Sequence, residues 1–187
     1  AGVLRAAGIP YTAIDSSIDQ IEFSRRFGSK IYYGDPSNQD LLRAATVDAA
    51  EVFVIATDDA EANIRTARIV RRIYPHLHVF ARARNRQHAF RLMDLVVAEP
   101  IRDTLHYTLR ITGQVLGALG VASATIQKQL RTFEEHDDAL LKSQHLVYDD
   151  ETAIMQSARD AVTDLEALFA ADQEQRNDDL LEQPQGT

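Results

Sequence analysis

The stretch Glu51-Val52-Phe53-Val54-Ile55-Ala56-Thr57-Asp58-Asp59 decides the fold. After Glu51 it runs apolar without polar alternation. That predicts a short strand buried on both faces, as in a parallel sheet. Thr57, Asp58 and Asp59 then open a helix to about Tyr74. Asp58, Asp59 and Glu61 fall in its first turn and Arg71 and Arg72 in its last, as the helix dipole prefers. Pro75 stops it.

The same alternation extends on both sides. Upstream, Ile9–Ile14 is a strand ending at Asp15, and Ser16 or Ser17 caps a helix to about Arg26. Lys30–Tyr33 is the next strand, closed by Gly34-Asp35-Pro36, and Ser37 caps a short helix carrying Leu41 and Leu42. Downstream, His78–Ala81 is a strand and Arg86–Met93 a helix. Leu95–Ala98 is a further strand, and Glu99-Pro100 opens a helix to about Leu116. Strands alternating with helices over short connections predict a Rossmann-like, doubly wound parallel α/β sheet with right-handed crossovers. Beyond Pro100 the strand pattern ends. Ser123 or Thr125 caps a helix to about His145, and another runs from about Asp149 to Asp172. The expected organisation is a Rossmann-like domain over 1–110, a helical extension over 111–172 and a fraying polar tail over 173–187.

The chain has 187 residues, 45% hydrophobic and 26% charged, with a net charge of −8. That is ordinary for a folded chain with a real core and argues against nucleic acid as a partner. Cysteine is absent, which removes disulfides, thiolate metal sites and Cys nucleophiles. The charge is uneven: residues 1–110 carry 15 basic and 13 acidic side chains, residues 111–187 carry 5 and 15. The acidic excess belongs wholly to the C-terminal part, as a solvated helical surface or one that docks on a basic surface.

Open parallel sheets bind ligands beyond the carboxyl ends of their strands, and acids stand at three of those ends: Asp15, Asp35 and Asp58. A carboxylate after the second strand of a dinucleotide fold accepts both ribose hydroxyls. Asp15 suits that role or a cap. For Asp35, in Gly-Asp-Pro, turn chemistry and ligand contact stand side by side. For Asp58, helix capping is favoured and is compatible with a site role. Arg82 and Arg84 are two apart at a strand end and so share a side. Two guanidinium groups so placed hold a carboxylate or phosphate, or pair with acids. The six histidines show no metal-ligand spacing, no G-x-S-x-G occurs, and no catalytic constellation is visible.

The chain has no initial methionine, and Ala1–Gly8 reads as the end of a helix capped by Gly8. No G-x-G-x-x-G is present, although a dinucleotide fold carries one before its first helix. The expectation is a fragment that lacks the first strand and the Gly-rich loop. In the order 3-2-1-4-5-6, the sheet would then stay open, or close non-natively, between its second and fourth strands.

Three segments together resemble a known family. Ala13-Ile14-Asp15, Gly28–Asp35 and Leu41-Leu42-Arg43-Ala44-Ala45 are similar to the RCK, or KTN, regulatory domain of potassium channels and transporters. Pro75–Asn85, with its Ala-Arg-Ala-Arg, resembles the C-terminal domain of Kef-type glutathione-regulated potassium-efflux antiporters. The resemblance implies a cytosolic regulatory domain rather than an enzyme, on the cytoplasmic face of the bacterial inner membrane as part of a multi-pass protein. It implies a nucleotide, NAD(H) or AMP, with Asp15 holding the ribose, Asp35 near the adenine, Thr57 and Asp58 lining the cleft, and Ser16 as a further cofactor-binding residue. Arg82 and Arg84 match the arginines that meet glutathione. It also implies a homodimer, with part of the apolar surface around helix 100–116 as its interface. The transmembrane antiporter domain and an ancillary quinone-oxidoreductase-like subunit are its further implied partners. The chain departs from close Kef members at Asn85-Arg86, where they carry acidic residues. An NAD(P)-dependent oxidoreductase shares the fold and is the alternative.

Overall fold

The structure, a computed structural model, describes residues 2–18, 30–97 and 100–181, the side chains of the last ten excepted. It divides into two compact units, Ala1–Arg102 and Asp103–Thr187.

The first unit opens with α1 (Gly2–Ala6), closed by Gly8 in the left-handed region. There Ile9 N–H reaches back to Leu4 O and Gly8 N–H to Arg5 O, the paired bonds of a Schellman stop. Two parallel strands follow, β1 (Thr12–Asp15) and β2 (Lys30–Tyr33), in register from Thr12 with Lys30 to Asp15 with Tyr33. The helix expected over 16–26 falls mostly on residues outside those described. After β2, Gly34 turns the chain at φ +146° beneath Leu41; a Cβ there would stand 2.8 Å from a Leu41 methyl.

Helix α2 (Gln39–Ala44) is capped by Asn38, whose side chain accepts from Asp40 N–H and Leu41 N–H. Ser37, expected as the cap, instead donates both its N–H and its hydroxyl to Asp35.

The second parallel sheet runs in the order β3 (Val52–Ile55), β4 (His78–Ala83) and β5 (Ile101–Arg102). Helices α3 (Ala60–Ile73) and α4 (Arg86–Met93) pack against β4. Along β4 the buried residues are Val79, Ala81 and Ala83, alternating with exposed or half-exposed His78, Phe80 and Arg82. Both helices therefore cover the same face. They supply Ile64, Ala67 and Val70 from α3 and Ala89, Phe90 and Leu92 from α4. Val52 and Val54 stay exposed, so β3 is not buried on both faces as its apolar run predicts.

All strand pairs are parallel, and the architecture is Rossmann-like. Among the described residues no ladder joins β1 to β3. The described strands form two separate parallel sheets, β1–β2 and β3–β4–β5.

Over the described residues 95–97 the expected strand (95–98) is not formed, and β5 lies at Ile101–Arg102. Leu95 and Val96 complete the stop of α4: Val96 N–H bonds Met93 O, Val97 N–H bonds Leu92 O, and Val96 sits at φ 56°. This is a Schellman stop with valine where glycine is usual, so the sequence hides it.

The second unit is α5 (Asp103–Ala118), α6 (Ser123–His145) and α7 (Glu151–Leu181), α6 packing against both others. Helix α5 begins at Asp103, later than Glu99-Pro100 suggests, and runs through Gly117. Gly113 sits where α5 and α6 approach; a Cβ there would stand 3.1 Å from Leu130. Helix α7 continues to Leu181, past the expected fraying point at Gln173. Gln173, Glu174, Gln175, Arg176, Leu180 and Leu181 are good helix formers. Among the described residues no helix is long and apolar enough to cross a membrane.

Candidate functional site

The carboxyl ends of β3 and β4 carry a cavity of about 240 Å3 lined by Thr57, Asp58, Arg82, Arg84 and His88. Each arrives by a local rule. Thr57 and Asp58 lie in the turn between β3 and α3. Asp59, not Asp58, caps α3: its carboxylate accepts from Glu61 N–H at 2.9 Å. That corrects the cap expected at Asp58 and frees the Asp58 carboxylate to pair with Arg82 across the sheet end. Arg82 is the penultimate residue of β4, and Arg84 follows the strand by one. Their spacing of two brings both to one cavity, as the pleat requires.

The backbone beneath is pinned from α3. Asn63, fully buried, donates its side-chain amide to Arg82 O at 2.9 Å. On the other side, Arg91 of α4 grips Glu61 of α3 with two hydrogen bonds, 2.5 and 3.0 Å. That contact holds the Glu61 carboxyl below its ordinary value.

His88 is the residue that sequence reading missed. It is the third residue of α4 and only 5% exposed. The N-cap Asn85 accepts from His88 N–H at 2.9 Å, while His88 Nδ1 accepts from Arg84 N–H at 3.1 Å. This is a capping box with imidazole in the place of Glu or Gln, reaching one residue further back. A backbone N–H can only donate, so Nδ1 is the acceptor and the neutral ring carries its proton on Nε2. Burial pulls the His88 pKa below its ordinary 6.5; the Arg91 charge adds to this, and Glu61 opposes it.

Among the described residues, three buried side-chain atoms lack a hydrogen-bond partner: Thr57 Oγ1, Asn63 Oδ1 and His88 Nε2. Thr57 and His88 both line the cavity. Leaving such a group unpaired costs about 1–3 kcal/mol, a cost that binding sites carry until a ligand arrives.

Comparison with known proteins settles the family. The family described as TrkA-N domain matches residues 1–102. The chain belongs to the TrkA-N domain family. Behind this TrkA-N part, residues 108–185 match the potassium efflux system KefB C-terminal domain, so the resemblance to the Kef-type RCK regulatory domain stands. The TrkA-N chain is 34% identical over 139 residues to the glutathione-regulated potassium-efflux system protein KefC of Cronobacter sakazakii, covering 74% of this chain and 22% of that one. It is 34% identical over 140 residues to KefC of Salmonella arizonae, covering 75% and 23%. The chain thus spans under a quarter of the length of these relatives.

Among solved structures, it superposes on the Shewanella denitrificans Kef CTD in AMP-bound form with a TM-score of 0.72 at 29% identity, covering 78% of this chain and 89% of that one. The TrkA-N domain of the Escherichia coli inner membrane protein ybaL aligns with a TM-score of 0.56 at 16% identity, covering 62% and 84%; this likeness shows the fold alone.

In this TrkA-N chain the seven residues singled out from the sequence all lie at strand ends, but in separate groups. Thr57, Asp58, Arg82 and Arg84 share the cavity. Asp15 ends β1, its carboxylate accepting from Ser17 N–H at 2.8 Å, with Ser16 exposed beside it. Asp35 follows β2, held below its ordinary 3.8 by the Ser37 N–H and then the Ser37 hydroxyl, with a weaker pull from Arg65. Neither Asp15, Ser16 nor Asp35 lines the cavity. Among the described residues no group of His, Asp and Glu could hold a metal ion.

Proposed function

We propose that this chain is a ligand-sensing regulatory domain of a potassium-efflux or cation:proton antiporter. In this reading a nucleotide, AMP or NAD(H), lies across the strand ends. Asp15 and Ser16 meet its ribose, Asp35 lies near the base, and Thr57 and Asp58 line the cleft. Arg82 and Arg84 take an anionic group, from the nucleotide or from glutathione as a second ligand. The carrying observation is the cavity at the ends of β3 and β4: two arginines, one carboxylate and two unpaired polar atoms in one place. That is a preformed demand for an acceptor-rich ligand.

The ligand acts by population shift. It favours whichever dimer conformation binds it better, and the attached membrane domain reads the difference. A dimer has support in α5, where no residue is buried. Tyr107, Ile111, Val115 and Leu119 recur every fourth residue along and just beyond it, each at least 51% exposed. Such a row is a ridge for a second helix.

The remaining parts of the reading are the cytoplasmic face of the bacterial inner membrane, a transmembrane antiporter domain as covalent partner and a quinone-oxidoreductase-like ancillary subunit. The domain has no catalytic role; hydride transfer from NADH to a carbonyl would overturn that and favour the oxidoreductase alternative. The direct test is calorimetric titration of the chain with AMP, NADH and reduced glutathione. Binding of at least one, weakened by Arg82→Ala, is expected. No heat from any of them sinks the ligand assignment.

A further inference from the structure

The cavity at the ends of β3 and β4 holds a feature that the arginine pair does not explain. Two of the residues that line it, Thr57 and His88, each carry a buried polar side-chain atom without a partner, Thr57 Oγ1 and His88 Nε2. His88 has no freedom to solve this itself. Its Nδ1 is committed to Arg84 N–H and its backbone N–H to Asn85, so the ring is fixed and Nε2 must present a proton. Thr57 has a rotatable hydroxyl that donates wherever an acceptor is offered. Arg82 is paired with Asp58, so the cavity side chains sum to one positive charge, which Arg84 carries. At about 240 Å3 the space lies below the roughly 300 Å3 at which small-molecule sites begin. It fits one compact group rather than a whole nucleotide or tripeptide.

We infer that His88 is a ligand-contacting residue: its Nε2–H, with the Thr57 hydroxyl, donates to an oxyanion, phosphate or carboxylate, seated against Arg84. This deepens the ligand-sensing reading above and rests on it. The arginines supply attraction that any anion feels. The ring-fixed Nε2–H demands an oxygen at a defined position, the Thr57 hydroxyl can turn to meet a second, and the small volume sets the size of the group. His88 therefore sets specificity where Arg84 sets charge. Because its acceptor nitrogen also holds the residue after β4, ligand contact at Nε2 bears directly on the junction of β4 and α4.

The test uses the full chain labelled with nitrogen-15. The side-chain signals of His88 are assigned by their loss in His88→Gln. Glutamine keeps the capping role, since Gln is an ordinary acceptor at that helical position, but removes the Nε2 donor. The wild type is titrated with AMP, reduced glutathione and sodium phosphate, each also followed by calorimetry. The expected result is a ring protonated on Nε2 whose N–H signal moves with at least one probe. His88→Gln then binds that probe about tenfold or more weakly, and Thr57→Val weakens it too. Movement with AMP and phosphate assigns a phosphate; movement with glutathione alone assigns a carboxylate. Calorimetric binding with a silent His88 signal overturns the inference and leaves the ligand-sensing reading standing. Absence of binding by every probe overturns both. A ring protonated on Nδ1 overturns the inference whatever binds.

Discussion

The sheet of β3, β4 and β5 and the three-helix unit α5–α7 solve the problem of burial differently. The sheet folds two helices onto one face and closes a core of Ile64, Ala67, Val70, Leu77, Val79, Phe90 and Leu92, each 3% exposed or less. The helical unit buries far less: among its described apolar residues only Leu141 and Ala161 are buried, and α5 buries nothing. The first region carries polar atoms inward, at Asn63, Thr57 and His88, and has enough packing to hold them there. The second carries apolar side chains outward, on Tyr107, Ile111, Val115 and Leu119. Unsatisfied polar atoms held by good packing are the physical basis of the proposed ligand site, and the exposed apolar ridge is that of the proposed dimer.

Core truncation is the harshest way to break this contrast. Leu92→Ala should cost about 2–5 kcal/mol in denaturant unfolding, and Leu141→Ala clearly less. Equal losses would mean that the helical unit has a core of its own. Next in size, Ile111→Asp should dissociate the proposed dimer, raising its Kd at least tenfold by analytical ultracentrifugation. Monomer stability should change by about 0.5 kcal/mol or less, as for other exposed positions. A dimer that survives it places the interface elsewhere.

Smaller changes sharpen the account of the sheet. Asp59→Ala should cost about 1 kcal/mol as a lost helix cap, whereas Asp58→Ala should stay within about 1 kcal/mol of neutral, because its pair with Arg82 is exposed. A reversed ranking would return the cap to Asp58. Val96→Gly should stabilise by about 1 kcal/mol, since a β-branched residue in the left-handed region is strained and Val96 is exposed.

The smallest effect is on pH. His88 is buried neutral, with its pKa lowered from 6.5. Above 6.5 it is neutral in folded and unfolded chains alike and contributes no slope. Below 6.5 the unfolded chain takes up the proton first, so stability falls as pH falls from 6.5 toward the lowered folded value. His88→Gln should flatten that part of the stability profile; an unchanged slope would contradict the burial of the ring.

Much of the fold was legible because it follows from period and punctuation. The apolar run at 52–55, the charge gradient along 58–72 and the stop at Pro75 each act locally, and the structure keeps all three. The reading failed where a local signal had two outcomes. Leu95–Val97 is apolar enough for a strand, but α4 needed a stop and took Val96 into a conformation usually left to glycine. Ser37 and Asn38 are both good caps, and so are Asp58 and Asp59; which of each pair serves depends on what else claims the other, Asp35 in one case and Arg82 in the other. His88 could not be singled out at all. A histidine inside a helical pattern carries no marker until the turn before it folds back and takes one of its nitrogens.

By itself, the sequence determined the alternation of strand and helix, the acids and arginines at the strand ends and the change of character beyond Pro100. These depend on residue types a few positions apart, and such forces are fixed by the chain alone. Only the tertiary structure decided which strand ends share a cavity, which carboxylate caps and which pairs, and which imidazole nitrogen is left to donate. Those depend on hydrogen bonds between residues brought together by packing, and a donor or acceptor used in one bond is unavailable for another.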